Sequence, residues 1–228
     1  MSTTTSPSLR TSFSIPVGKI NLAADITIPS AAIGLVLFAH GSGSGRHSSR
    51  NRRVAEALNE GQIATVLVDL LTEQEEAIDV ETAHLRFDIG LLATRVVGII
   101  DWIQTQPKMN GLTLGLFGAS TGAAAALVAA AERPDVVRAV VSRGGRPDLA
   151  GEPLTRVLAP TLCIVGSRDR MVMDLNYAAL ERLPRQTTQK VEIIRGATHL
   201  FEEPGTLDQV AVLARGWFRT YLGGHHAL

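Results

Sequence analysis

Short apolar runs alternate along this chain with segments whose apolar positions recur every three to four residues. The runs at 33–39 (IGLVLFA), 63–67, 112–117, 136–141 and 161–165 are rich in Val, Ile and Leu and are bounded by Gly, Pro, Asp or Asn. That is the pattern of strands buried on both faces, and 191–194 adds a weaker one. Between them the period changes to 3.6. Leu92, Val96, Ile99, Ile100 and Ile103 share one face of a predicted helix over 88–104, and Leu207, Val210, Leu213, Ala214, Trp217, Phe218 and Tyr221 form a stripe on a last helix, where Thr206 and Gln209 have capping-box spacing. Strand–helix alternation predicts an α/β class, with a mostly parallel sheet covered by helices on both faces. The runs 11–15 and 20–28, turning at Val17-Gly18-Lys19, read instead as an antiparallel edge pair, because Leu22, Ala24, Ile26 and Ile28 alternate with Asn21, Ala23, Asp25 and Thr27. The segment 70–87 carries Glu73, Glu75, Glu76, Asp79 and Glu81 without helical apolar spacing and is expected to be a solvated loop.

Composition narrows the class. The chain has 228 residues, enough for one sizeable domain, and its 45% hydrophobic content excludes a largely disordered chain. Lys+Arg and Asp+Glu number 22 each, so nothing in the balance points to nucleic acid or an anionic membrane. Cys163 is the one cysteine; it has no internal disulfide partner, which suits a reducing, cytoplasmic setting. No stretch approaches the roughly 18 uninterrupted apolar residues of a membrane span. We expect a flexible tail at 1–11, one domain at 12–222 and a C-terminal tail at 223–228, with aliphatic helices able to build a homodimer.

The chemistry concentrates at strand ends. The run 112–117 leads into Gly118-Ala119-Ser120-Thr121-Gly122 and then at once into an alanine-rich helix. G-x-S-x-G between a strand and a helix is the setting of a nucleophile elbow, which lifts a serine above the sheet edge beside a helix N-terminus. A serine needs a base, and the base a carboxylate. Asp169 follows the strand at 161–165 and His199 follows the one at 191–194. Of the six histidines, His199 alone follows both Ser120 and Asp169 at a strand end: His40 and His47 come earlier, His84 lies in the acidic segment, and His225 and His226 are terminal. Asp174 is a second carboxylate, better placed as a helix cap. For the oxyanion, the backbone of Thr121 and the glycine loop His40-Gly41-Ser42-Gly43-Ser44-Gly45 offer N–H donors, with Ser42 first and Gly41 next. That loop lacks a dinucleotide fingerprint or Gly-Lys-Ser/Thr. Arg143 and Arg146, after the strand at 136–141, could each hold a substrate carboxylate or form a structural pair. Arg46 and His47 read as pinning the glycine loop or capping the next helix, Glu202 and Glu203 as a solvated turn, and Cys163 as buried and inert.

The HG loop, the GASTG elbow, the GSRD acid turn and the ATHLFEEPG histidine turn resemble the α/β-hydrolase superfamily, and within it the small, capless, dienelactone hydrolase-like group, over nearly the whole chain. The resemblance implies a sheet of eight strands with the second antiparallel, no large cap, and hydrolysis of small carboxylic esters or lactones without metal or organic cofactor. It implies Ser120 as nucleophile, Asp169 as acid, His199 as base, and Thr121 with Ser42 as oxyanion donors. Dienelactone hydrolases proper carry cysteine at the elbow, where Ser120 stands in this chain. Some relatives are fused to a phosphoribosyltransferase domain, and at this length no such domain is expected within these residues. Two alternatives share or forgo this chemistry: acyl transfer or thioester cleavage by the same triad, and a non-catalytic binding protein on a hydrolase fold.

Overall fold

A computed structural model describes residues 9–224; of the tails expected at 1–11 and 223–228, residues 1–8 and 225–228 lie outside the described residues. Each apolar run forms a strand. The edge pair is β1 (Leu9–Val17) and β2 (Ile20–Ile28), so the first strand starts inside the segment expected as a tail. They turn at Gly18, whose φ of 60° belongs to the left-handed region glycine tolerates. Then come β3 (Leu35–Ala39), β4 (Ala64–Val68), β5 (Leu114–Ala119), β6 (Val137–Arg143), β7 (Thr161–Gly166) and β8 (Gln189–Ile194). They make one eight-stranded sheet in the order β1-β2-β4-β3-β5-β6-β7-β8. β2 runs antiparallel to both its neighbours and the later pairs are parallel. Several strands extend past their apolar run into polar or glycine positions, because ladder hydrogen bonds need no apolar side chain.

Among the described residues six α-helices cover the sheet: α1 (Ser49–Glu60), α2 (Glu73–Thr82), α3 (Ile89–Thr105), α4 (Thr121–Glu132), α5 (Arg170–Leu180) and α6 (Thr206–Leu222). Strand alternation divides the core into two layers. Leu35, Leu37 and Ala39 of β3 join the layer with α3 and α4, while Val36 and Phe38 join the layer with α1 and α6. Pairing of β5 with β6 slips by one residue at Arg138, since Leu114 opposes Val137 but Gly115 opposes Ala139. Such a bulge reverses which face the following residues present. Val137 therefore belongs to the α3/α4 layer, whereas Ala139 and Val141 belong to the α1/α6 layer.

Two further expectations are corrected. The acidic segment is no loop: α2 occupies its middle and a 3-10 turn, Leu85–Phe87, follows. This helix lacks an apolar stripe, with Ile78 and Val80 exposed, and is set by other means. Thr72 and Glu75 form a reciprocal capping box, and Glu73, Glu75 and Glu76 lie in the first turn, where the helix dipole favours negative charge. Buried Asp79 accepts from the backbone of Leu85 and Arg86 and pairs with the Arg86 guanidinium at 2.5 Å. Burial pushes the Asp79 carboxyl up, but those bonds outweigh it and hold it below its ordinary value. The second correction concerns α6, which begins at Thr206 behind Gly205. The Thr206 hydroxyl donates to the Glu203 carbonyl at 2.7 Å, so the expected box does not form.

The strand-to-helix connections are short, and no large cap stands over the sheet edge among the described residues. No described helix is long and apolar enough to cross a membrane. The α1/α6 layer depends on Phe218, which is fully buried and lies so close to Gly115 that a Cβ there would come within 2.7 Å of its ring. Phe218→Ala is expected to cost about 3–5 kcal/mol, read in denaturant titration as a lower midpoint at unchanged slope. A loss below about 1 kcal/mol would contradict this packing.

Candidate active site

At the end of β5 the chain must reverse into α4 within one residue. Ser120 does this with φ 50° and ψ −123°, a left-handed conformation that costs a non-glycine residue about 1–3 kcal/mol. The turn closes because its flanks lack side chains: a Cβ on Gly118 would lie 2.3 Å from the Ala123 backbone, and one on Gly122 would lie 2.2 Å from the Ala39 carbonyl oxygen. Hydrogen bonds hold the strained residue from both sides. Its N–H donates to the Arg143 carbonyl at 3.3 Å, and its own carbonyl accepts from Ala123 N–H and Arg146 N–H at 3.1 and 3.0 Å.

The other two candidates come from neighbouring strand ends. After β7, Gly166–Asp169 makes a tight turn closed by Asp169 N–H to the Gly166 carbonyl, and Asp169 sits at the N-cap of α5 without capping it. Its carboxylate instead meets His199 Nδ1 at 2.5 Å, with the Asp169 side chain 16% exposed and that of His199 38%. Asp174 lies within α5 and is not the cap expected of it. The acid and histidine turns are joined: Gly196 N–H donates to Ser167 Oγ at 2.8 Å, and Arg168 N–H to the Ala197 carbonyl at 3.0 Å. Beyond His199 the chain is anchored by buried Phe201 and by Glu203, whose carboxylate accepts the Thr198 N–H and is held below its ordinary pKa by Thr198. Asp169 and His199 are thus brought into contact, while no hydrogen bond joins Ser120 Oγ to His199 among the described residues; such contacts are often loose before substrate binds.

The glycine loop after β3 lies against the elbow. A Cβ on Gly41 would come within 2.9 Å of Ser120 Cβ, so only glycine allows this approach. Ser42 N–H, the first oxyanion donor expected, does not face open space: it donates to Thr121 Oγ1 at 3.0 Å. The motif did not reveal this bond, which spans 79 residues of sequence. His40 fixes the start of the loop, with Nδ1 on the Gly41 carbonyl and Nε2 accepting from Leu70 N–H, both at 2.9 Å. Arg46 fixes its end, as expected, with its backbone and guanidinium both on Asp69, while the cap of α1 is Ser48 rather than Arg46 or His47. An open cleft of about 1340 Å³ runs along this loop between the β1–β2 hairpin and α2, lined by Asn21, Ser42, Arg46, Arg50 and Glu76 among others.

The two candidate arginines differ. Arg146 makes a bidentate pair with Asp148 at 2.8 and 2.7 Å, the structural alternative for it. Arg143 is buried and its guanidinium makes no hydrogen bond among the described residues. Buried Cys163 is pushed up to about 12 by desolvation and does not supply a thiolate. No three His, Cys, Asp or Glu side chains among the described residues are grouped to hold a metal ion.

The pattern of the alpha/beta hydrolase domain family matches residues 32–211. The crystal structure of a dienelactone hydrolase from Anabaena variabilis ATCC 29413 is 57% identical and superimposes with a TM-score of 0.92, covering 94% of this chain and 99% of that one. The chain belongs to the α/β-hydrolase family. Two Mycobacterium tuberculosis proteins, from strains CDC 1551 / Oshkosh and H37Rv and provisionally named phosphoribosyl transferases, are 53% identical over 210 residues. That match covers 92% of this chain and 46% of each relative, so the hydrolase domain spans about half their length. Est1E from Butyrivibrio proteoclasticus shares the hydrolase fold at 17% identity and a TM-score of 0.75, over 92% of this chain and 98% of its own.

His40 is expected to make the hydrolase domain sensitive to acid. Burial lowers its pKa below the ordinary 6.5, against the raising influence of the Gly41 carbonyl and of Asp69 and Glu76. The unfolded chain therefore takes up its proton first as the pH falls through 6.5, so stability drops from there toward the lowered folded value and is level above. His40→Gln should flatten this slope, read from urea midpoints between about pH 5 and 7. An unchanged slope would contradict a buried neutral imidazole.

Proposed function

We propose that this α/β hydrolase cleaves small carboxylic esters or lactones through an acyl-enzyme, with Ser120 as nucleophile, His199 as base and Asp169 as the acid that orients it. The observation that carries the reading is the 2.5 Å contact of Asp169 with His199 Nδ1, at the same sheet edge as a serine held in the strained elbow. The carboxylate keeps the proton on Nδ1, leaving Nε2 to accept from the serine hydroxyl. Attack on the carbonyl carbon forms the C–O bond to Ser120 Oγ while the hydroxyl proton passes to His199. Collapse returns that proton to the departing alcohol, and water, activated in the same way, releases the acid and regenerates the serine.

The developing oxyanion is received by the Thr121 N–H, at the first turn of α4, and by a second donor from the glycine loop. Ser42 N–H serves once Thr121 Oγ1 releases it, with Gly41 adjacent. The ligand is a small molecule, no metal or organic cofactor enters a step, and the setting is cytoplasmic. The 57% identical Anabaena variabilis protein, named a dienelactone hydrolase, supports the choice of ester and lactone substrates.

Ser120→Ala should lower kcat for p-nitrophenyl acetate by at least about 10⁴-fold with an unchanged circular dichroism spectrum, and abolish labelling by a fluorophosphonate. Asp169→Asn should retain labelling but lower kcat by about 10³–10⁴-fold. Undiminished turnover in Ser120→Ala would overturn the reading.

A further inference from the structure

Most arginines resolved in ion pairs have a carboxylate within 3 Å: Arg46 meets Asp69, Arg86 Asp79, Arg95 Glu75, Arg133 Asp101 and Arg146 Asp148. Arg143 departs from that pattern. It is the last residue of β6, only 7% exposed, and its Nη1 is shielded from solvent without a hydrogen-bond partner. The bulge at Arg138 determines where it points. Without the extra residue, position 143 would share the face of Val137, under α3 and α4; with it, Arg143 follows Ala139 and Val141 onto the α1 face.

On that face lies a second under-used guanidinium. Arg50, in the first turn of α1, has a shielded Nε without a partner, and its Nη1 reaches Glu202 only at 3.4 Å, where the Glu202 side chain is 65% exposed. Burial first, and then the Arg50 charge, lower the Arg143 pKa to about 10, which leaves the Arg143 guanidinium protonated at neutral pH. Two like charges with shielded, unpaired donors cost stability unless something anionic joins them. Such a cost retained in a fold calls for an explanation, and a bound anion supplies one.

The pair adjoins the proposed chemistry. The Arg143 carbonyl takes the Ser120 N–H, and the next residue, Gly144, adopts φ 49° and lies so close to the histidine turn that a Cβ would come within 3.0 Å of the His199 carbonyl oxygen. Arg50 lines the open cleft together with Ser42. We propose that Arg143 and Arg50 form an anion subsite beside Ser120 that binds a doubly charged oxyanion group, of phosphate-monoester chemistry, carried by the ester substrate. A single carboxylate would offset one guanidinium; a tetrahedral dianion offsets both and has enough acceptor oxygens for two guanidinium forks at once. The weakly held, exposed Glu202 is the group it displaces. The proposal rests on Ser120 being the nucleophile of an ester hydrolase.

The test uses inorganic phosphate as the probe, with acetate as the monoanion and chloride at matched ionic strength as the control. In the wild type, phosphate should raise the melting temperature and raise KM for p-nitrophenyl acetate without changing kcat, at concentrations at least about tenfold below those needed of acetate. Arg143→Met should weaken phosphate binding by more than about tenfold and, in phosphate-free buffer, melt no lower than the wild type, because it removes an unpaired buried charge. Arg50→Gln, on the surface of α1, should weaken phosphate binding without loss of fold. Phosphate acting no better than chloride or acetate, or acting equally on Arg143→Met, would overturn the subsite; so would inhibition that lowers kcat at constant KM. Fluorophosphonate labelling of Ser120 separates the two claims: labelling without phosphate binding removes the subsite alone, and phosphate binding lost in Arg143→Met without labelling removes the hydrolase reading, and with it the ester substrate as carrier of the anion, while the anion site itself stands.

Discussion

The left-handed backbone of Ser120 is the constraint on which the rest of this edge depends. A reversal from β5 into α4 within one residue is sterically closed unless the positions two before and two after have no Cβ, and Gly118 and Gly122 meet that condition. The strained residue is then clamped by bonds to three elements: Arg143 of β6, Ala123 of α4 and Arg146 beyond β6. Register extends the clamp sideways. Ala119 opposes Arg143, Arg143 opposes Ile164, and Gly166 opposes Ile194, so four parallel strands end nearly level. Their following turns place Ser120, Gly144, Asp169 and His199 along one edge, where open α/β sheets gather ligands.

Electrostatics at this edge follows from what is paired and what is left open. The glycine loop is held by neutral His40 at one end and by Arg46 with Asp69 at the other, so its amides are fixed before any ligand arrives. One of them already has a stand-in partner: Thr121 Oγ1 occupies the Ser42 N–H. A half-buried N–H without an acceptor is costly, and the hydroxyl satisfies it until a side-chain rotation lets another oxygen take its place. Most arginines around the edge are neutralised within the protein, which is why the open pair Arg143 and Arg50 stands out.

Much of this architecture was legible in the residues because its strands are buried on both faces and read as continuous apolar runs. The elbow was equally plain, since Gly-x-Ser-x-Gly between a strand and a helix has a steric meaning. The helix α2 was not, because its stability comes from the Thr72–Glu75 box and the buried Asp79–Arg86 pair rather than from an apolar stripe. Thr72 and Glu75 were the signal that could have found it. Side-chain partners set by tertiary structure were also out of reach. Arg143 and Arg146 look alike in the chain, and only the neighbouring Asp148 and the bulge at Arg138 separate a structural pair from an open guanidinium. The Ser42–Thr121 bond likewise joins the glycine loop to the first residue of α4, which meet only when β3 and β5 pair.

The central claim is that Ser120 carries the acyl group. Rapid acid quench of the protein during p-nitrophenyl acetate turnover, followed by peptide mass spectrometry, tests it directly. One acetyl group on the peptide containing Ser120, absent in His199→Gln, is the predicted result. Continued turnover with no acetyl on Ser120, or acetyl on another residue whose removal stops turnover, would contradict it.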